Sequence, residues 1–227
     1  MITENKQINE LCNLINDELK VEGRKITFYL IGGGALIFYG AKSSTKDLDI
    51  ILKNESDYNL TKQILEKTGF IPTQIEPEYE NFELEFIYIK NKYRLDIFKK
   101  LVCGKLQLSK DMIERSKIQL ELSNLTLKTL SLEDIFVFKS ITEREGDIED
   151  SAEIVKKGIN WNKILDEINN QIKESKVEVW ITFLNERLDI LDERYNIKSP
   201  LKNQTQKLTE RFYDKLEKQK DYIKMIQ

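Results

Sequence analysis

Two aspartates one residue apart, Asp47 and Asp49, are the feature of this sequence whose type and spacing most directly suggest chemistry. The run from Asp47 to Leu52 is otherwise apolar, which predicts a β-strand. Because strand side chains at i and i+2 share a face, the two carboxylates should project together, with Leu48 and Ile50 on the opposite face. Two like charges side by side are unfavourable unless a cation lies between them or water screens both. The pair therefore predicts a site for a hard divalent ion such as Mg²⁺ or Mn²⁺.

A third acid, Asp96, fits the same pattern further along the chain. The run from Tyr93 to Phe98 predicts another strand, in which Asp96 alternates with Leu95 and Ile97. If this strand neighbours the first, Asp96 faces the same side as the aspartate pair. Three convergent carboxylates would hold two divalent ions about 3.5–4 Å apart, the arrangement used for in-line nucleotidyl displacement. One ion would bind a triphosphate, and the other, with Asp96, would activate the attacking hydroxyl.

Three consecutive glycines, Gly32 to Gly34, lie between a predicted strand over residues 27–31 and a short predicted helix over residues 35–39. Backbone N–H groups and the dipole at a helix start attract phosphate, and glycine lets the backbone approach it closely. Taken singly, a glycine triplet is usually a turn, and an i, i+2 acid pair is usually a solvated strand edge. The order of strand, glycines, helix, paired acids and later strand acid predicts a nucleotidyltransferase site.

Composition excludes several other classes of chemistry. The 227 residues include no histidine, which excludes Ser-His-Asp and Cys-His nucleophiles and histidine-ligated zinc. A net charge of −3 argues against a protein that coats nucleic acid through its overall charge. Cys12 and Cys103 are far apart and match no metal spacing, which indicates a reducing compartment. Residues 1–20 are polar, and no apolar run approaches the ~20 residues of a membrane helix. We therefore expect a cytoplasmic protein with no membrane partner.

The hydrophobic pattern predicts an α+β (α/β) fold. An amphipathic helix over residues 8–19 precedes the glycine segment, a later helix ends at Gly69, and strands over residues 84–89 and 93–98 flank a polar turn. These elements predict a mixed β-sheet flanked by helices in a domain of residues 1–104. A mainly helical region of residues 105–227 follows. It includes a helix that begins with the capping box Ser131 to Asp134.

The residues described above resemble the DNA polymerase beta-type nucleotidyltransferase superfamily. Its hallmark is a Gly-Gly or Gly-Ser turn after a strand, an Asp-x-Asp pair on the next strand and an acid on a later strand. Here these are Gly33-Gly34, Asp47-Leu48-Asp49 and Asp96. The surrounding segments look most similar to a prokaryotic branch that contains the AbiEii-like proteins of toxin–antitoxin and abortive-infection systems, with uncharacterised archaeal and bacterial relatives.

The resemblance also implies roles for residues outside the three acids. Gly33, Gly34, Lys42 and Thr45 would bind the nucleotide. Lys42 stands where the branch commonly has arginine, and lysine keeps the charge without the bidentate geometry. A second patch further along the chain, Lys139 followed by Arg144, Asp147 and Asp150, resembles the branch's helix lysine and its downstream Arg-x-x-Asp-x-x-Asp pattern. By that resemblance, Lys139 would contact the phosphates, and Arg144 and Asp147 would support the site, although Gly146 replaces the lysine usual before this acid.

The expected function is that of a metal-dependent nucleotidyltransferase. With Mg²⁺ or Mn²⁺, it would move a nucleoside monophosphate from an NTP to an acceptor hydroxyl on tRNA, a protein or a small molecule. It would then be a candidate component of a toxin–antitoxin pair with a cognate partner. Two alternatives stay open: a non-catalytic antitoxin or binding partner that kept the fold, and a sensor of NTP or metal that performs no transfer.

Overall fold

A computed structural model describes residues 1–73, 86–174 and 178–226, with side chains to residue 219. In chain order the strands are β1 Ile26–Ile31, β2 Leu48–Ile51, β3 Ile71–Thr73, β4 Ile87–Lys90, β5 Tyr93–Phe98, β6 Leu101–Val102, β7 Leu106–Gln107, β8 Lys117–Glu121 and β9 Leu125–Thr129. The helices are α1 Asn5–Val21, α2 Gly32–Phe38, α3 Glu55–Lys67, α4 Lys110–Arg115, α5 Leu132–Ser140, α6 Glu145–Lys156, α7 Trp161–Glu174, α8 Trp180–Tyr195 and α9 Lys202–Ile226.

Across these described ranges, seven strands form one mixed sheet with the order β3-β4-β5-β2-β1-β9-β8, and β6 and β7 form a separate hairpin. Strand β2 runs antiparallel to β1 and parallel to β5, whereas β1 runs parallel to β9. Helix α1 contacts β9 and α3, and α2 contacts β1, β2 and α5. The expected mixed sheet flanked by helices, with a helical C-terminal region, is therefore confirmed. Within the part of the chain that the structure describes, no helix is both long and apolar enough to cross a membrane.

The sheet continues past residue 104, where the sequence pattern placed the end of the first domain. Strand β9 pairs along β1, and β8 pairs with β9, so both strands extend the N-terminal sheet. The alternation of buried Leu125 and Leu127 with half-buried neighbours is that of a strand with one covered face. The division into two domains stays a prediction, but strands of the main sheet lie on both sides of its boundary.

The predicted hairpin forms between β4 and β5, with Lys90 opposite Tyr93. Asn91 in its turn has a φ of 53°, a left-handed conformation that asparagine tolerates better than most residues. The predicted first strand began at Leu84. Residues 84 and 85 lie outside the described residues, and β4 begins at Ile87.

Helix α5 links the sheet to the C-terminal helices. Ser131 caps its N-terminus by accepting a hydrogen bond from the backbone N–H of Asp134, as the capping box predicts. All residues from Asp134 to Ser140 are buried, because α5 packs against α2 on one side and against α6, α7 and α8 on others. Because α5 is enclosed in this way, its last residues, including Lys139, lie near the N-terminal end of α2, where the glycines are.

Candidate active site

The strand register places Asp49 and Asp96 side by side. Strands β2 and β5 are parallel neighbours, and Asp49 is the direct partner of Asp96 across the pair. Adjacent strands lie about 4.8 Å apart, and paired residues point to the same face. Asp96 is buried, with an exposed fraction of 3%, and Asp49 is half-buried. Two carboxylates thus share one face of the sheet at its centre.

Asp47 lies just before β2, in a loop fixed at both ends. Thr45 exchanges two backbone hydrogen bonds with the buried Ile2, at 2.8 and 2.9 Å. The hydroxyl of Thr45 donates to a carboxylate oxygen of Asp47 at 3.3 Å. The loop therefore presents Asp47 beside Asp49 from a backbone that residues near the N-terminus hold in place.

The glycine triplet forms the first turn of α2, rather than a turn before it. Gly32 has a φ of +61°, and a Cβ there would lie 1.9 Å from Asp49 Oδ2. A Cβ on Gly33 would lie 2.5 Å from the hydroxyl of Thr45, and one on Gly34 would lie 2.6 Å from a methyl of Leu48. Each position lacks room for a side chain because α2 begins directly against the strand that carries the acids.

Cations and carboxylates from distant parts of the chain meet opposite this turn. The ammonium of Lys139, on α5, lies 2.6 Å from Asp147 and 2.8 Å from Asp150, both on α6. The ammonium of Lys42 lies 2.7 Å from both oxygens of Asp150. Asp150 therefore joins two lysines that are far apart in sequence.

Asp147 is the most densely bound carboxylate of this group. Besides Lys139, it accepts hydrogen bonds from the hydroxyl of Thr142 at 2.5 Å and from Nε of Arg144 at 2.8 Å. Burial raises the pKa of Asp147, but Lys139 and Arg144 outweigh it and hold that pKa well below its usual range. Burial lowers the pKa of Lys139, but Asp147 and Asp150 leave that pKa above its ordinary value. Both groups are charged at neutral pH.

Two adjoining cavities connect these residues. The larger, of about 870 Å³ including space open to solvent, is lined by four of the nucleotide-binding candidates, namely Gly33, Lys42, Thr45 and Lys139, by the supporting candidates Arg144 and Asp147, and by Asp47, Asp49 and Asp150. The smaller, of about 460 Å³, is lined by Gly32 and Asp96 with an apolar wall that includes Phe98 and Phe138. Asp49, Lys139, Arg144 and Asp147 line both. The residues expected from the sequence thus surround one cleft, with Asp96 on its inner side, except for Gly34, which lines neither cavity and packs against Leu48 and Leu30.

The acids of the cleft repel one another. Burial raises the pKa of Asp49 well above its usual range, and the charges of Asp47 and Asp96 raise it further. Burial likewise raises the pKa of Asp96, although the bonded guanidinium of Arg94 lowers it. These directions are those of carboxylates that a nearby cation would stabilise.

The three acids fit a hard divalent ion in donor type, since all their donors are oxygen. Their side chains do not yet converge: among the described residues, no group of three acidic or thiol side chains could hold a metal ion. Asp96 instead binds Arg94, whose Nε and Nη2 each lie 3.1 Å from one carboxylate oxygen. To share an ion with Asp49, Asp96 would have to turn away from Arg94.

Sequence reasoning missed three contributors to this geometry. Gly32 was included in the triplet but not singled out, although it makes the closest approach to Asp49. Arg94 was readable, because it lies two residues before Asp96 in a strand and so shares its face. Thr142 carries no sequence signal, because its role depends on the turn between α5 and α6.

Comparisons with solved structures give distant matches. The chain is 11% identical to ANT(2'')-Ia in complex with adenylyl-2''-tobramycin, over 74% of this chain and 98% of that one, with a TM-score of 0.47. It is 14% identical to an antigenic nucleotidyltransferase-like protein from Paracoccidioides brasiliensis, over 91% and 95% of the two chains, with a TM-score of 0.49. No curated protein matches the chain.

Family membership rests on a family model and not on these distant structures. It describes a nucleotidyltransferase of unknown function, DUF6036, and it matches residues 6–182, a range that contains every candidate site residue named above. The chain therefore belongs to this nucleotidyltransferase family.

Proposed function

We propose that this chain transfers a nucleoside monophosphate from an NTP to an acceptor hydroxyl and releases pyrophosphate. The observation that carries the proposal is the direct pairing of Asp49 with Asp96 across two parallel strands. The cleft beside this pair is also lined by Gly33 and by the cations Lys42 and Lys139. Acids that could bind a metal and activate an acceptor thus lie beside cations that could bind a triphosphate.

The transfer itself can be assigned to residues of the cleft. The acceptor oxygen forms a bond to the α-phosphorus while the bond from that phosphorus to the bridging oxygen of pyrophosphate breaks. Asp96 takes the proton of the acceptor hydroxyl. Lys42, Lys139 and Arg144 stabilise the charge that develops on pyrophosphate. N–H groups at the start of α2 orient the phosphates.

Magnesium or manganese is the cofactor that we propose, with Asp47, Asp49 and Asp96 as the residues that would hold it. When bound, such an ion neutralises the triphosphate and favours the deprotonated acceptor. Asp47 and Asp49 orient it from the loop and the strand, and Gly32 leaves the space that Asp49 needs.

The acceptor and the setting are narrower proposals that rest on the resemblance to AbiEii-like proteins. We propose a tRNA or a protein as acceptor, with a small molecule as the other option, and a role in a toxin–antitoxin pair in the cytoplasm. Both cysteines are buried and free, a state that a reducing compartment favours. Co-purification of a cognate partner whose removal restores NMP transfer or toxicity would support the pairing.

Label transfer tests the main proposal. The purified chain is incubated with each of four α-labelled NTPs, Mg²⁺, and tRNA, protein or small-molecule acceptors. We expect transfer by the wild type, none by Asp49→Asn, and full transfer by the control Asp166→Asn, which makes the same change at an exposed position of α7. Failure of all four NTPs with every acceptor would contradict the proposal.

One observation favours the non-catalytic alternative. Lys139 and Asp96 already have ion-pair partners within the chain, as in a site that serves structure alone. A binding module of this kind would form a stable complex with its partner in which Asp49→Asn has no effect. Tight binding of NTP without any product would instead indicate a sensor.

A further inference from the structure

One arginine of helix α8 is buried against the end of α5. Arg187 is 2% exposed, and its Nη2 donates to the carbonyl oxygen of Lys139 at 3.1 Å and to that of Thr142. The last carbonyls of a helix lack partners within it, and its dipole favours a cation there. Arg187 therefore caps α5 and ties the turn that follows it to α8.

The same turn holds Asp147 in the cleft. Lys139 donates to one carboxylate oxygen of Asp147, and the hydroxyl of Thr142 donates to the other. The two residues whose carbonyls Arg187 binds are thus two of those whose side chains bind Asp147. Any shift of the turn moves the ammonium of Lys139 and the carboxylate of Asp147 together.

Stability alone does not account for an arginine at this position. Nε and Nη1 of Arg187 find no hydrogen-bond partner among the described residues. Burial lowers the pKa of Arg187 by more than the nearby Asp147 and Glu186 raise it. A buried charge with unsatisfied N–H groups is costly, and an apolar side chain of similar volume is often neutral or stabilising in its place. Among the described residues, the hydrogen bonds of Arg187 go to the last turn of α5 and to the residues that join it to α6, which we call the α5–α6 turn.

We propose that Arg187 is a positioning residue of the nucleotide cleft, which aims Lys139 and Asp147 by holding the carbonyls of the α5–α6 turn. The effect of Arg187 on the rate of NMP transfer rests on the proposed function. Its effect on the position of the α5–α6 turn does not. Arg187 lies beyond residues 6–182 that the family model matches, so the C-terminal helices contribute to the site. Because Lys139 would stabilise the leaving pyrophosphate, a misplacement of about 1 Å can cost up to about 100-fold in rate.

Three variants separate positioning from general stability. Arg187→Met removes the charge and keeps an unbranched chain about as long as the aliphatic part of arginine. Arg187→Lys keeps a charge, but its single ammonium can replace only part of the contact with the two carbonyls. The matched control is Arg194→Met on the same helix, since Arg194 is half-exposed and pairs with Glu145 of α6. Each is measured for kcat and KM with NTP, for its thermal unfolding midpoint, and for amide hydrogen exchange at residues 139–147 without nucleotide.

We expect Arg187→Met to unfold no lower than Arg194→Met, to exchange faster at residues 139–147, and to lose 10–100-fold in kcat with little change in KM. Arg187→Lys should recover part of both effects. Wild-type exchange and kcat in Arg187→Met would overturn the proposal, as would faster exchange spread over the whole chain. If Arg187→Met does not fold, full kcat and wild-type exchange in Arg187→Lys would overturn it equally.

The two proposals fail in different ways. A wild type that transfers no NMP refutes the proposed function, while the exchange of residues 139–147 in the arginine variants still decides whether Arg187 holds the turn. A wild type that transfers NMP, with an Arg187→Met variant that matches it in every measurement, refutes only the positioning role.

Discussion

Substitution of Gly32 by alanine tests whether the glycine turn is built around Asp49. Two costs follow from the structure. The φ of +61° at Gly32 costs an L-residue about 1–2 kcal/mol. The added Cβ would also lie 1.9 Å from Asp49 Oδ2, and forcing a group into a packed site costs about 1–3 kcal/mol. We therefore expect Gly32→Ala to lower the free energy of unfolding by about 2–5 kcal/mol.

Gly23 supplies a matched control for the first of these costs. Its φ is +62°, but a Cβ there would meet nothing within 4 Å. Gly23→Ala should therefore show the backbone cost alone, about 1–2 kcal/mol, and retain NMP transfer. The difference between the two variants measures the clash with Asp49.

Urea unfolding and the label-transfer assay read out the comparison. Because the clash displaces an acid of the cleft, NMP transfer by Gly32→Ala should fall by about 100-fold or more. If Gly32→Ala unfolds within about 0.5 kcal/mol of Gly23→Ala and keeps its activity, Asp49 does not depend on the space at Gly32, and the reasoning is refuted.

Three further predictions follow from the charges of the cleft. Asp150→Asn removes the carboxylate that holds the partly exposed Lys42 and leaves Lys139 with Asp147, so the free energy of unfolding should fall by about 1–3 kcal/mol in urea titrations, against no change in Asp166→Asn. The folded chain raises the pKa of Asp49, so it binds a proton there more tightly than the unfolded chain does. The free-energy cost of ionising Asp49 in the folded chain therefore grows as the pH rises above the unfolded pKa of about 3.9. Asp49→Asn should therefore be more stable than wild type at pH 7 in chelator, and a variant less stable than Asp166→Asn would contradict this. Finally, Mg²⁺ with NTP should raise the thermal midpoint of the wild type by mass action and leave that of Asp49→Asn unchanged; an equal rise in both would exclude Asp49 from the site.

Local patterns in the sequence predicted the features that depend on one segment. Alternation predicted a strand that carries both Asp47 and Asp49, but β2 begins at Leu48 and Asp47 lies in the loop before it. The order of glycines and acids led to the nucleotidyltransferase superfamily, which the family match confirms. The narrower AbiEii-like branch stays a prediction, as do the roles of the individual site residues. The segments of β8 and β9 also alternate with period 2, but each run is short. These two strands, and the extension of the sheet beyond residue 104, were therefore not predicted from the sequence.

Features that depend on two distant segments could not be read in this way. The contact of Lys42 with Asp150 joins residues 108 positions apart, and nothing in either segment specifies the other. The bonds from Arg187 to two carbonyls involve backbone atoms, which every residue possesses. Such contacts arise only once α5 is packed among α2, α6 and α8.

The lysine at position 42 shows how a changed residue type can be accommodated by such a contact. A lysine cannot grip phosphate in the two-pronged manner of the arginine that the resembling branch commonly carries. Here both oxygens of Asp150 lie at the same distance from its ammonium, and Asp150 is fixed in turn by Lys139. The ammonium of Lys42 thus keeps its position at the edge of the cleft because the buried carboxylate of Asp150 binds it. It does not need the planar guanidinium of an arginine for this. In the proposed nucleotide site, Lys42 would therefore be placed by Asp150 of helix α6 rather than by the planar shape of an arginine.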